Sequence, residues 1–176
     1  MAYETSGAWP TAADGDGYSL VRIRPTAPAD TPTNWRPSTG PGGNPGDTDS
    51  VSLATWLPGH GFQNALDSGA DGLPALIAFL CGTDLSGLPG AGLVITPENG
   101  SAPPTALVTF RHRLAADQVT LQVQSTADFI AWQTLDPGSA AAPIVARVSH
   151  GDGTESMTVR IAAPTPSFVR LKAIVP

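Results

Sequence analysis

Three histidines, two close carboxylate pairs and four tryptophans are the residues here whose types and spacing could do chemistry. His60 stands between Gly59 and Gly61 in a turn, and His150 opens another turn with Gly151, Asp152 and Gly153. His112 sits between Arg111 and Arg113, in phase with the apolar Phe110. None of the three has a second histidine or a cysteine at metal-ligand spacing, so the sequence spells no zinc site. A Ser-His-Asp triad is recognised by geometry and not by order, but the Gly-x-Ser-x-Gly turn that presents a hydrolase serine is absent. Asp14 with Asp16, and Asp47 with Asp49, are pairs of the kind glycosidases use. The first flanks Gly15 in a turn and the second lies in a Pro/Gly-rich stretch. Neither is the enclosed setting that raises an acid's pKa. The sequence therefore points away from catalysis. Tryptophan is the remaining recognition chemistry, since Trp9, Trp35, Trp56 and Trp132 would stack on sugar rings wherever they are exposed. Trp132 alternates with Ile130 and reads as core. Trp35 and Arg36, in a loop-like stretch, are the expected ligand contacts.

These residues must be positioned by a chain of 176 residues with 41% hydrophobic and only 14% charged side chains. That is apolar enough for a core and poor in the charges of a helical enzyme. With 19 glycines and 18 prolines, regular elements are interrupted often, which favours short strands joined by turns. The net charge is −6, with ten acidic and three basic residues in 1–100 against five and six in 101–176. An acidic chain repels a phosphate backbone, so nucleic acid is not an expected partner. No apolar run is long enough for a membrane span, and residues 1–5 lack the basic and apolar regions of a signal peptide. Cys81, the single cysteine, rules out an intrachain disulfide and reads as a small buried hydrophobe.

Three zones follow. Residues 1–47 hold one clear strand, Tyr18 to Arg24, and run into a Pro/Gly-rich segment, 37–50, that reads as a linker. Residues 48–100 carry two short helices. One is capped by Ser50 or Ser52 and stopped by Pro58 and Gly59; the other begins near Pro74 and ends before Gly82. Residues 101–176 show period-two alternation in about six stretches, around Val108, Leu121, Ile130, Ala146, Val159 and Leu171. Arg147, Thr158, Arg160, Arg170 and Lys172 fall on the opposite, solvent-facing series. The expected fold is mainly β: a small immunoglobulin- or fibronectin-like antiparallel sandwich over 101–176, short helices in the middle and a partial β segment at the start.

The first zone resembles the closing part of a bacterial lamin tail domain. Trp9 and Pro10, the run Ala13 to Leu20, Asn34 to Ser38, and Gly43 to Gly46 carry the likeness. It implies that residue 1 lies inside a domain of a longer exported protein. Residues 67–84 resemble a degenerate calcium-loop segment, in which Asp67, Asp71 and Leu73 match ligand positions 1, 5 and 7. Gly69 and Ala78, at positions 3 and 12, bring no side-chain oxygen, so a turn and helix that stand without the metal are the preferred reading. The last zone is similar to the C-terminal sandwich that follows such loops in bacterial secreted proteins, through Thr109 to Arg113, Val119 to Ser125, Asp128 to Trp132 and Phe168 to Leu171. The resemblance implies an extracellular or cell-surface location and no shared enzymatic activity. The functions to weigh are a non-catalytic spacer or end-piece first, a carbohydrate- or protein-binding module second, and a hydrolase last.

Overall fold

The computed structural model describes residues 4–5, 7–70, 72–82, 93–98, 100, 103–162 and 168–175. Its elements in chain order are β1 (Tyr18–Arg22), β2 (Trp35–Pro41), α1 (Leu53–Gly59), α2 (Ala75–Cys81), β3 (Leu93–Glu98), β4 (Thr105–Arg113), β5 (Thr120–Thr126), β6 (Gln133–Leu135), β7 (Ile144–Ser149), β8 (Thr154–Ala162) and β9 (Phe168–Ile174).

The alternating stretches become two antiparallel sheets, one ordered β3-β4-β8-β7 and the other β6-β5-β9. Val108, Phe110, Val159 and Ile161 of the first sheet face Val123 and Leu135 of the second, all buried in one cluster. Removing each such side chain from water contributes roughly 2 kcal/mol, which is why period-two patterning selects this face. Four strands over three, with β4 beside β8 and β5 beside β9, is an immunoglobulin-like arrangement. The expected fold class is what the structure has.

Both helices form where the sequence places them. The Ser52 hydroxyl accepts the Thr55 amide at 3.1 Å and starts α1, and Gly82, with φ of 65°, ends α2 in the left-handed conformation. Trp56, Leu57, Phe62, Phe79 and Leu80 make a second core, against which Val119, Leu121 and Ala173 of the sandwich pack.

Three expectations are corrected. The stretch read as the start of a linker is β2, antiparallel to β1, and its Pro37 and Ser38 are buried. Residues 127–131 are a loop, so the strand expected around Ile130 and Trp132 begins only at Gln133. Arg147 is not on the solvent face: it is 6% exposed. A register shift between Ile144 and Ala146 moves the pairing phase of β7 by one residue, and in a strand that turns a side chain to the other face. Arg147 thereby joins the series of Met157 and Phe110 instead of that of Thr158. β3, a short edge strand, had no clear sequence signal because its apolar residues run together without alternation.

Candidate functional site

Among the described residues, two places combine accessible aromatic rings with polar groups: a cavity under the β1–β2 hairpin, and a patch on the outer face of the three-stranded sheet.

Buried arginines frame the cavity. Arg36, on β2, is 2% exposed and lies in the interior, not in a loop. Its Nε and Nη2 donate to Asp117 at 2.7 and 2.8 Å, and its Nη1 donates to Asp49 at 2.6 Å. Nη1 and Nη2 also donate to the carbonyls of Pro37 and Asp49, both at 3.0 Å. Burial alone would lower the arginine's pKa, and the hydrogen bonds and charges of Asp117 and Asp49 outweigh it, leaving the pKa raised. Asp49 is pushed up by burial and pulled down further by the Thr39 hydroxyl and Arg36. The expected contact residue Arg36 is thus committed to holding residues 35–49 against the loop after β4. Trp35 remains half-buried, its indole N–H donating to the Ala29 carbonyl at 2.9 Å.

The second buried arginine, Arg147, meets Glu155 through Nε at 3.0 Å and Nη2 at 2.5 Å. Its Nη1 donates to the carbonyls of Ala8 and Trp35, each at 3.3 Å. His112 Nε2 lies 3.0 Å from Glu155 Oε1. Burial raises the Glu155 pKa, and His112 and Arg147 overcome it, holding the carboxyl down at about 2.

Between these two clusters lies a cavity of about 570 Å³, walled by Trp35, Phe110, Leu121 and Met157, with Arg113 and His112 among its polar groups. The expected contact Trp35 therefore does line a concavity.

The outer patch is built by one loop. Asp128 Oδ1 accepts from the Thr126 hydroxyl at 2.9 Å and from the amides of Ile130 and Ala131 at 2.8 and 3.0 Å. Those donors, the Ala131 amide first, lower its pKa. The pinned loop holds Phe129 at φ of 61°, an uncommon conformation for a residue with a side chain. Phe129 is 60% exposed and Ile130 86%. The Phe129 ring meets Phe168 at a centroid distance of 3.8 Å and Trp132 at 6.3 Å. Arg170 lies 3.8 Å over the Trp132 ring and donates to Gln124 Oε1 at 2.9 Å, while Gln124 donates to Thr134 at 3.0 Å. Three aromatic rings thus stand beside a row of hydrogen-bonding side chains. Trp132 and Ile130 alternate in sequence and so read as core, but residues 127–131 form a loop. The signal that finds the loop is Asp128 itself, a residue that turns the chain by bonding its own backbone.

No family model, curated protein or solved structure matches this chain.

The remaining sequence candidates lie elsewhere. Asp67 Oδ2 accepts the amides of Gln63 and Asn64 at 2.7 and 2.9 Å, and its Oδ1 accepts the Asn64 side-chain amide. The Leu73 carbonyl accepts the Gly69 amide at 2.9 Å, and Ala78 is buried in α2. Asp71 falls outside the described residues. Of the described donors, Asp67 and Leu73 turn their oxygens to closing their own turn. Cys81 is buried, and burial pushes its thiol pKa up. His60 stacks on Trp56 at 4.0 Å. His150 Nε2 lies 2.8 Å from the Ser156 hydroxyl. Neither residue lines the large cavity, and among the described residues no carboxylate is bonded to the other ring nitrogen of His150 to orient it.

Proposed function

We propose that this chain is a non-catalytic, carbohydrate-binding β-sandwich module of an exported or cell-surface bacterial protein. The observation that carries the reading is the cluster of exposed Phe129 and Phe168 with half-buried Trp132, backed by Arg170 and Gln124. Sugar rings present an apolar face and a rim of hydroxyls. Aromatic faces beside amide, hydroxyl and guanidinium groups meet both needs at once. An uncovered aromatic patch on a monomer's surface costs solubility and is characteristic of an interaction site. The strained backbone of Phe129 agrees with this, because left-handed non-glycine residues persist where the surrounding structure holds them for a purpose. The likeness of residues 1–47 to a lamin tail domain, and of the last zone to C-terminal sandwiches of secreted proteins, supports the location.

The lack of catalysis rests on the histidines, each engaged in a turn, an ion cluster or an exposed pair. The experiment is co-sedimentation of the purified chain with a panel of insoluble polysaccharides. Saturable retention on one glycan is the expected result. No retention on any glycan would leave the spacer or end-piece as the better reading.

A further inference from the structure

We propose that the cavity beneath the β1–β2 hairpin binds a small organic carboxylate, its acid group on Arg113 and its apolar body against Trp35, Phe110 and Leu121. The cavity, about 570 Å³, falls within the roughly 300–1,000 Å³ typical of small-molecule sites. It is separate from the outer patch, since Phe129, Trp132 and Phe168 do not line it.

Four arginines line the cavity: Arg24, Arg36, Arg113 and Arg147. Arg36 is taken by Asp49 and Asp117, and Arg147 by Glu155. Arg24 and Asp136 also line the cavity, and Arg24 is exposed to solvent. Arg113 is half-buried. Among the described residues no carboxylate lies within ion-pair distance of it, and its two terminal nitrogens donate to no described residue. Asp152, which acts on it through space, is itself paired with Arg111.

Arg113 is also held in place. Its Nε donates to the Phe79 carbonyl at 2.8 Å, and its guanidinium sits over the Phe79 ring at 5.3 Å. One edge of the fork is fixed and the other is open. A guanidinium remains charged even where burial lowers its pKa, and a carboxylate is the planar partner that matches two parallel N–H donors. The same fork beside aromatic and aliphatic walls selects an acid with an apolar body over a bare ion.

The test is calorimetric titration of the full chain with benzoate, with benzamide as its neutral counterpart, and with inorganic phosphate. Benzoate is expected to bind at least about tenfold more tightly than benzamide, the scale of one charge-assisted contact, and more tightly than phosphate. Arg113→Gln should abolish the preference for benzoate, and Arg113→Lys should keep part of it. Equal binding of benzoate and benzamide, or no saturation by benzoate at ~20 mM, overturns the proposal. Phosphate binding as tight as benzoate overturns the apolar part of it. Should Arg113→Gln fail to fold, the comparison of ligands on the unaltered chain still decides.

Discussion

Arg36 and Asp117 stand 81 residues apart in the chain and meet edge to edge, Nε to Oδ1 at 2.7 Å and Nη2 to Oδ2 at 2.8 Å. Through this pair the first hairpin is fastened to the sandwich, and Arg147 repeats the device by reaching the carbonyls of Ala8 and Trp35. The opening segment is therefore part of the folded unit.

Arg36→Ala should cost about 3–5 kcal/mol, because it strands Asp49 and Asp117 in mostly buried sites without a counter-charge. Their side chains are only 9% and 15% exposed. Urea unfolding checks the size of the loss. A drop under about 1 kcal/mol would mean that the pairs behave as surface contacts.

The exposed turn at 44–48 is the expected first site of proteolytic cutting. A chain nicked there should still run as one species in gel filtration, since Arg36 lies on one side of the cut and Asp49 and Asp117 on the other. Separation into two pieces would contradict the fastening.

Stability should fall with pH between about 4.5 and 2. Glu155 has its folded pKa depressed from 4.5 to about 2. Over that window the unfolded chain takes up the proton first, so the carboxylate's contribution is complete above the window and lost as pH drops through it. Glu155→Gln should flatten this slope and cost about 3 kcal/mol near neutrality, by leaving Arg147 buried without its partner. An unchanged slope in the variant would place the acid sensitivity elsewhere.

Calcium should leave the melting temperature unchanged. Asp67 already spends both carboxylate oxygens on donors of its own turn. Thermal melts with millimolar calcium and with chelator are the check, and a rise with calcium would restore the loop as a metal site.

Much of this architecture was readable from local pattern, and the reasons for the rest are specific. The alternation of Val119, Leu121 and Val123 announced β5, and Ser52 and Gly82 marked helix ends, because burial and capping act through near neighbours. The phase of Arg147 was not readable: a bulge in β7 leaves composition unchanged and shifts the face. Arg36 looked exposed because its partners, Asp49 and Asp117, are set by the tertiary fold and not by spacing. The outer patch was hidden for a third reason. Phe168 and Phe129 are 39 positions apart, and they meet only because β9 pairs with β5 so that Phe168 lies opposite Thr126.

The most direct measurement is glycan co-sedimentation of the unaltered chain beside Phe129→Gly, with thermal melts of both. Glycine at a φ of 61° relieves strain worth about 1 kcal/mol while deleting the most exposed ring of the patch. The variant is expected to melt at the same temperature or higher and to lose at least about tenfold in retention. A variant that is equally stable and retained as well as the unaltered chain would contradict the placement of the binding site on this face.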